Sequence, residues 1–456
     1  MKWDAIVVGG GLAGWIAAVL AARGGKRVLL AEKARGFGGR AATVDKGGVR
    51  LSLGAHALYR EGELHAILEQ LGALPEGGRP APSGHSLLNG RLHPLPGTPV
   101  ALAASRVLSW SGKLELARNM LALKRLDESR LPEGSFADWA ERTVREPEVR
   151  HLLYALCRTS TYAHAPELQQ AGPVLLQLKR SLTGGVLYVD NGWSAIVERL
   201  RRTAERTGRV TAASAKAAAA VTPLDAAGQT AAPDGAGGRF EVRFEDGETA
   251  RADAVVLAVP PAECRRLVSG AESRSLELWN RQALPLTAAC LDLGMRRLPD
   301  PRVQFVMGVD TPFLFTNQSR AAKLSDNGLL AVHLLRYHRP GVQPDAERDR
   351  EELERTLDIL QPGWRAETEV RQYLPRMTVV HGFAHTGRTE APGPAVPELS
   401  GLYVAGDWAG GGELLADAAA ASARRAAEAL LREAPSGSGK GDPHNEQRGT
   451  GRQPAV

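Results

Sequence analysis

The feature that most constrains the fold is a glycine-rich turn between a short apolar strand and a helix near the start of the chain. Residues 4–8 form an apolar run rich in β-branched side chains. Gly9, Gly11 and Gly14 follow in G-x-G-x-x-G spacing, before a helical stretch over residues 15–23. In such a unit the first glycine makes the turn, the second lets backbone approach a pyrophosphate, and the third lets helix pack on strand. The pattern predicts an α/β fold that binds a dinucleotide.

A second strand ends at an acidic residue where the ribose of a dinucleotide would lie. Residues 27–31 form this strand, and Glu32 follows directly. A carboxylate there hydrogen-bonds ribose hydroxyls and disfavours a 2′-phosphate. With 50 glycines in the chain, the glycine spacing alone is weak evidence, but strand, turn, helix, strand and acid in this order are specific. We therefore expect Glu32 and Lys33 near the ribose, and the first N–H groups of the helix, at Leu12 and Ala13, near the phosphates.

A second glycine turn distinguishes the kind of dinucleotide. The run from Gly38 and Gly39 through Arg40 to Thr43 reads G-G-R-A-A-T. A nicotinamide enzyme has no particular need for such a turn, whereas a longer cofactor with a buried pyrophosphate does. The run resembles the G-G-R-x-x-[ST] turn of the flavin-containing amine oxidase superfamily, which includes carotenoid desaturases and protoporphyrinogen oxidases. The resemblance implies FAD, with Arg40 beside its diphosphate.

A further match follows the strand-like stretch at residues 49–53. The chain breaks there at Gly54, and Ala55 and His56 come next. In the family, the matching glycine and the residues after it pass the flavin ring. His56 invites a role as acid or base, although a histidine in such a turn is more often a packing or hydrogen-bonding residue. Both interpretations of His56 stay open from the sequence.

The end of the chain repeats the strand, turn and helix pattern. An apolar run over residues 402–405 leads into Gly406 and Asp407, and an alanine-rich helical stretch covers residues 413–432. The resemblance implies that Gly406 and Asp407 meet the phosphate and ribityl groups of FAD. It also implies that the helix start, at Glu413, Leu414 and Leu415, points at the pyrimidine edge of the flavin. A helix N-terminus supplies about half a positive charge, which suits the negative charge of reduced flavin.

Together these matches predict an α/β protein with a Rossmann-type FAD-binding domain and an inserted mixed α+β substrate domain. Two interior stretches resemble points where the family's chain returns to the FAD domain, at residues 190–197 and 254–261. At 456 residues the chain is too long for one core and suits two domains. The expected segments are FAD-binding at 1–75, 189–285 and 393–434, substrate-binding at 76–188 (helical) and 286–392 (sheet), and a disordered tail at 435–456.

The middle of the chain carries weaker local patterns. Asn89 and Gly90 between apolar pairs predict a β-hairpin. Residues 113–125 predict an amphipathic, basic helix, which either packs on the core or lies on a membrane surface. The remaining predictions are a helical region at 136–183, one alanine-rich strand at 210–221, a surface loop at 223–238, strands near 288–293, 303–309, 329–335 and 369–373, and a helix near 345–360.

Composition excludes several classes of protein. The net charge of +6 comes from interspersed charges, which does not indicate a nucleic-acid partner. The cysteines Cys157, Cys264 and Cys290 are far apart and predict buried thiols rather than disulfides or a metal site. No apolar run reaches the roughly 20 residues that span a bilayer. Since the first strand begins close to Met1, we expect no signal peptide and a cytoplasmic protein, with peripheral contact on the inner membrane face as one alternative.

The reaction implied by the resemblance is hydride transfer from a C–H bond to flavin N5. Absence of cysteine after Cys290 argues against FAD attached near the C-terminal motif, and absence of tyrosine after Tyr403 disfavours an aromatic cage for amines. Leu414, Leu415 and the helical middle region favour a small hydrophobic substrate, oxidised as by a desaturase or a protoporphyrinogen oxidase, with oxygen or a quinone as electron acceptor. The alternatives are an amine oxidase with non-covalent FAD and a flavin-binding scaffold or assembly protein without turnover.

Overall fold

A computed structural model describes residues 2–224, 238–268 and 273–433. Two large sheets and their covering helices make up the α/β fold, as predicted. The tail predicted at 435–456 and nearly all of the loop predicted at 223–238 lie outside the described residues.

The first sheet takes its seven strands from the beginning, the middle and the end of the chain. In sequence order they are β1 (Lys2–Val8), β2 (Val28–Ala31), β10 (Val210–Ala213), β11 (Ala218–Pro223), β12 (Phe240–Phe244), β13 (Thr249–Leu257) and β19 (Leu402–Val404). The spatial order is β10-β2-β1-β13-β12-β11, and β19 pairs with the carboxyl half of β13. Strands β10, β2, β1, β13 and β19 run parallel. Their carboxyl ends therefore meet along one edge.

The alanine-rich stretch at 210–221 forms two strands, so the prediction of a single strand there was wrong. Strand β10 lies parallel to β2, whereas β11 is antiparallel to β12. Between them the backbone N–H groups of Ala215 and Lys216 donate to the carbonyls of Ala34 and Glu32 at 2.8 Å. These bonds turn the chain away from the parallel edge, a change of direction that alanine periodicity does not encode.

Helices cover both faces of the first sheet. They are α1 (Leu12–Arg23), α2 (Glu63–Leu71), α8 (Ser194–Thr207), α9 (Pro261–Leu267), α10 (Arg274–Gln282) and α13 (Leu415–Arg432). Helix α1 packs against α8 and α13 on one face, and α9 and α10 pack on the other. Nine of the twelve residues of α1 are buried, as expected for a helix enclosed on several sides. The glycine turn that precedes α1 is thereby fixed at the centre of the domain.

The second sheet also has seven strands, in the order β18-β14-β17-β16-β15-β7-β8. They are β7 (His85–Leu88), β8 (Arg91–Pro94), β14 (Leu286–Met295), β15 (Phe305–Gly308), β16 (Phe313–Asn317), β17 (Leu330–Tyr337) and β18 (Thr368–Val380). Helices α11 (Ala346–Leu360) and α12 (Trp364–Glu367) contribute Leu353, Leu357 and Trp364 to the core on one face. The hairpin predicted at Asn89 and Gly90 is confirmed and joins this sheet.

A helical layer packs beside the second sheet. It contains α3 (Pro99–Ala104), α4 (Trp110–Lys124), α5 (Phe136–Thr143), α6 (Pro147–Thr161) and α7 (Ala171–Thr183), which confirms the helices predicted at 113–125 and 136–183. Short strands complete the fold: β3 (Thr43–Lys46), β4 (Val49–Ser52), β5 (Leu58–Tyr59), β6 (Gly77–Gly78) and β9 (Val186–Val189). Within the described ranges, none of the helices has the length and apolarity to cross a membrane.

Candidate functional site

The main cavity opens where the parallel strands of the first sheet end. Strand β1 lies between β2 and β13, so the chain leaves β1 toward one neighbour and returns later to the other. Ligands of open α/β sheets bind in the crevice at such a switch point. A cavity of about 570 Å³ begins there and continues toward the second sheet. We call it the central cavity.

The first glycine turn forms one wall of the central cavity, lined by Gly9, Gly11, Leu12 and Ala13. Gly14 does not line it. A Cβ on Gly14 would lie 1.8 Å from the carbonyl oxygen of Gly9, so Gly14 serves the packing of helix on strand. At Gly11 a Cβ would meet only the Gly38 carbonyl, at 3.8 Å. The backbone beside Gly11 is therefore open to a ligand, and Gly11 caps α1 without a side-chain hydrogen bond.

Glu32 and Lys33 line the same end of the cavity. The two carboxylate oxygens of Glu32 accept the N–H groups of Gly10 at 2.6 Å and Ala34 at 2.8 Å. These bonds hold the carboxylate beside the glycine turn. Each oxygen keeps a second lone pair for a ligand hydroxyl, and the ribose contact remains a prediction.

An ion pair between Arg40 and Asp407 joins the second glycine turn to the segment that follows β19. Gly38, Gly39 and Arg40 line the cavity on one side and Gly406 and Asp407 on the other. The Arg40 guanidinium also donates to the Val379 carbonyl at 2.7 Å, and the second Asp407 oxygen accepts the His381 N–H at 2.5 Å.

Asp407 is almost fully buried, with 3% of its side chain exposed. Burial alone would raise the pKa of its carboxyl group. The charge of Arg40 and the hydrogen bonds from His381 and Arg40 outweigh burial, so the pKa lies well below the usual aspartate range. The carboxylate is therefore charged at neutral pH.

The loop at Gly54, Ala55 and His56 follows β4. Ala55 and His56 line the cavity, whereas Gly54 packs against the side chains of Met377 and Cys290. His56 Nδ1 lies 2.9 Å from the Gly54 carbonyl, and its ring centroid lies 4.8 Å from that of Trp193. Burial lowers the pKa of His56 to about 4, so the ring is neutral at neutral pH. Because the Gly54 carbonyl can only accept a hydrogen bond, Nδ1 carries the ring proton. This geometry supports the packing and hydrogen-bonding interpretation of His56.

The start of helix α13 reaches the cavity through Leu415 and Ala416. Leu415 has a left-handed backbone conformation, with φ of +56°. The structure does not bring Glu413 and Leu414 to the central cavity. Glu413 accepts from Arg425 at 2.8 Å and from the Gly411 N–H at 2.9 Å, and with Leu414 it lines a smaller cavity next to the central one. The sequence pattern locates the helix start but not the direction in which each side chain points.

Comparison with protein-family models decides the family. The model for flavin-containing amine oxidoreductases matches residues 12–431. The chain belongs to this family. It is accordingly an oxidoreductase that uses a flavin, and the predicted resemblance is confirmed. A comparison with curated proteins returned no match.

Solved structures agree with this family in fold. An oxidoreductase from Methanosarcina mazei is 19% identical with a TM-score of 0.73, over 94% of this chain and 100% of that one. A candidate protoporphyrinogen oxidase from Exiguobacterium sp. 255-15 is 19% identical with a TM-score of 0.67, over 94% and 98%. Wild-type putrescine oxidase bound to putrescine is 14% identical with a TM-score of 0.71, over 95% and 100%. At these identities the likeness establishes the fold alone.

The residues of this flavin oxidoreductase fit a dinucleotide form of the cofactor. The open backbone at Gly11, the uncapped start of α1 and the cation at Arg40 face one continuous cavity. They provide the N–H groups and positive charge that a diphosphate requires. When bound, a flavin supplies the capacity to accept a hydride, and the protein positions and shields it.

Several lining residues were not predicted as site residues, although two of them belong to the stretch 254–261 that resembles the family. At the Glu32 end, Val259, Pro260, Glu263 and Arg266 line the cavity just beyond β13. The buried run of β13 ending in prolines was a usable signal, because ligands lie at the carboxyl ends of parallel strands.

At the opposite end, three tyrosines line the cavity: Tyr59, Tyr162 and Tyr188. The Tyr162 hydroxyl donates to the Ala55 carbonyl at 2.7 Å and the Tyr59 hydroxyl to the Ser160 carbonyl at 3.1 Å. Burial raises the pKa of Tyr59 to about 12, so its hydroxyl keeps the proton. The absence of tyrosine near the C-terminal motif did not predict these aromatic rings, which come from three other segments.

The three cysteines are buried and free, as predicted. Cys290 lies in a buried cluster behind the Gly54 loop, where Asp292 Oδ1 is 2.9 Å from Cys290 Sγ and 2.6 Å from His333 Nδ1. Gln372 donates to the other Asp292 oxygen at 3.0 Å. Cysteine spacing in the sequence did not indicate this grouping, because the partners come from three strands of the second sheet. The hydrogen bonds that Asp292 makes with Cys290, His333 and Gln372 satisfy its buried carboxylate.

Asp417 is a further missed residue of the central cavity, with 3% exposure. Its Oδ1 accepts the Leu64 N–H at 2.9 Å, at the start of α2, whereas Oδ2 has no hydrogen-bond partner within the described residues. Burial raises the pKa of Asp417 to about 6, and the neighbouring carboxylates of Glu63 and Glu413 add to the rise. The Leu64 N–H and the charge of Arg180 oppose this shift.

Asp417→Asn is expected to stabilise the flavin-free protein at pH 8 by roughly 2 to 3 kcal/mol. Asparagine keeps an acceptor for Leu64 but cannot ionise. Because the folded protein holds the Asp417 proton up to about pH 6, its stability falls as the pH rises from the ordinary aspartate range through pH 6. Urea unfolding should show little difference at pH 4 and the full difference at pH 8.

The control is Asp138→Asn, at an exposed position on α5. We expect it to change stability by less than about 0.5 kcal/mol at either pH. Equal pH dependence of Asp417→Asn and the unsubstituted protein would contradict the raised pKa.

Proposed function

We propose that the chain binds FAD non-covalently and oxidises a small apolar molecule by hydride transfer from a C–H bond to the flavin. The observation that carries the proposal is the continuity of the central cavity. It runs from Glu32 and the glycine turn, past Arg40, to the Gly54 loop and a largely apolar wall. One cavity can thus hold a dinucleotide and place a substrate against its reactive end.

The dinucleotide form is supported by the polar groups along the site. The Glu32 end offers a carboxylate, and the middle offers the Arg40 guanidinium and the free N–H groups of α1. Non-covalent attachment is supported by the cysteines. Cys157, Cys264 and Cys290 are no more than 1% exposed, and the sequence has no cysteine after Cys290.

The preference for an apolar substrate comes from the wall opposite the glycine turn. Its side chains are mainly aliphatic and aromatic, namely Ala57, Leu58, Leu64, Val186, Phe305, Leu314, Met377 and the three tyrosines. The hydroxyls of Tyr59 and Tyr162 are bonded to backbone carbonyls. Such a wall orients a substrate by shape and excludes water, which suits a desaturase-like or protoporphyrinogen-oxidase-like reaction with oxygen or a quinone as acceptor.

A second candidate, oxidation of an amine, is favoured by Asp417. Its Oδ2 is buried without a hydrogen-bond partner among the described residues, Tyr59 lines the same cavity, and a buried carboxylate in a cavity lined by aromatic rings suits a cation. The apolar wall covers more of the cavity than the Asp417 carboxylate does, so amine oxidation is the second candidate function.

Anaerobic mixing of the purified protein with candidate substrates tests the proposal. We expect a flavin spectrum, release of FAD on denaturation, and bleaching by isoprenoid or tetrapyrrole substrates. Asp417→Asn should leave this bleaching within about threefold, because an apolar substrate gains nothing from the carboxylate.

Three other results would contradict the proposal. Bleaching by monoamines or polyamines alone, lost by at least tenfold in Asp417→Asn, would establish the amine candidate. A bound flavin that no substrate reduces, in a protein whose loss disturbs a partner complex, would favour a flavin-binding scaffold. Purification with NAD in place of flavin would refute the cofactor assignment as well.

A further inference from the structure

Large apolar side chains are unusually exposed on helices α3 and α4. Val100 is 80% exposed, Trp110 79% and Leu114 75%, the three highest values for large apolar residues in the described part of the chain. Leu121, at 57%, continues the row. On α4 these residues are four and seven positions apart, so they share one side of the helix. We call this surface, with its intervening residues, the α3–α4 face.

Cations lie between the apolar residues of the α3–α4 face. Lys113, Arg118, Lys124 and Arg125 point to the same side of α4 by helical spacing. The single acidic residue of α4, Glu115, is on the opposite side, where it is buried, accepts the N–H groups of Arg145 and Glu146 at 2.8 Å and lies 3.9 Å from the guanidinium of Arg118. The exposed side of α4 is therefore apolar and positively charged, without a carboxylate of its own.

The two helices form one surface rather than separate exposed turns. The Lys113 ammonium donates to the Ala103 carbonyl at the end of α3, at 2.7 Å, and lies 4.3 Å from the centre of the Trp110 ring. The inner side of α4 is fixed by Leu116 and Leu123, which are buried in the helical core. At the N-terminal edge Glu148 bonds the Ser109 hydroxyl at 2.7 Å. That carboxylate borders the face rather than lying within it.

We propose that the α3–α4 face docks on an anionic lipid bilayer. The face lies along a helix about 22 Å long, and its apolar residues are separated by cations. Such a pattern suits the headgroup layer, where Trp and Leu enter the acyl boundary and Lys and Arg meet lipid phosphates. A protein partner that buried this face would have to cover four cations as well.

Sedimentation of the flavin-loaded protein with vesicles tests the docking. Vesicles of phosphatidylcholine with one quarter phosphatidylglycerol should bind it at least tenfold more tightly than phosphatidylcholine alone, and raised salt should weaken binding. The double variant Trp110→Ser/Leu114→Ser should lose at least tenfold in partition. The matched control Val342→Ser/Ile359→Ser removes apolar side chains that are 59% and 47% exposed elsewhere, and should bind normally.

A second pair of substitutions separates charge from apolar burial. Arg118→Gln/Lys124→Gln should reduce binding to the anionic vesicles and leave binding to phosphatidylcholine unchanged. An unaltered flavin spectrum in every variant shows that the fold is intact. Absence of vesicle binding would overturn the proposal, as would normal binding by Trp110→Ser/Leu114→Ser. A dimer in light scattering that this variant dissociates, without vesicle binding, would reassign the face to self-association.

Discussion

Arg40→Met is expected to abolish flavin binding and to lower the free energy of unfolding by about 3 kcal/mol. The substitution leaves the buried Asp407 carboxylate without its cation, while the His381 N–H remains as a partner. It also removes the positive charge from the part of the cavity where a diphosphate is expected. Urea unfolding and the visible spectrum of the purified protein measure the two effects.

The control for Arg40→Met is Arg50→Met. Arg50 pairs with Asp326, whose side chain is 72% exposed, so its loss should cost less than about 1 kcal/mol and leave flavin in place. The double variant Arg40→Met/Asp407→Asn should recover part of the stability without recovering flavin. Flavin retained at normal affinity in Arg40→Met would contradict the placement of the diphosphate.

Gly11→Ala is expected to give a folded protein that binds flavin at least a hundredfold more weakly. The added Cβ meets no protein atom closer than 3.8 Å, so the fold tolerates it, but it occupies the space beside the start of α1. Gly14→Ala should instead fail to fold, because its Cβ would lie 1.8 Å from the Gly9 carbonyl oxygen. Soluble yield and flavin titration of the refolded protein distinguish the two results.

Gly36→Ala is the matched control for Gly11→Ala, because its Cβ would meet nothing within 4 Å. We expect normal yield and normal flavin affinity for this variant. Full flavin affinity in Gly11→Ala would show that the cofactor lies elsewhere.

The parts of the site that could be predicted are those where backbone conformation leaves a trace in the sequence. The turn at Gly9 to Gly14, the turn at Gly38 and Gly39 and the strand end at Gly406 contain glycines that have positive φ or no room for a Cβ. Because the backbone conformation at such points admits almost only glycine, a short glycine motif is enough to locate these turns from the sequence. The order of strands and helices around these turns predicts the parallel strands of the first sheet.

The rest depends on contacts between residues distant in sequence. Arg40 and Asp407 were each predicted at the cofactor, but not that they form an ion pair. Asp417 was missed because its burial depends on the start of α2, 353 positions earlier. Side chains that shape a cavity need only fill space, so the three tyrosines have no characteristic spacing.

The composition of the first sheet has a consequence for biosynthesis. Strands β1 and β2 leave the ribosome before the other strands of this sheet, but Asp407 follows Arg40 by 367 residues, and α13 is made later still. Until then α1 lacks its contact with α13, although α8 already packs against it. The central cavity also lacks the wall that contains Asp407. The cavity is therefore completed only after α13 has been synthesised, and a chain that terminated before α13 would expose the apolar surface of α1 to chaperones and proteases.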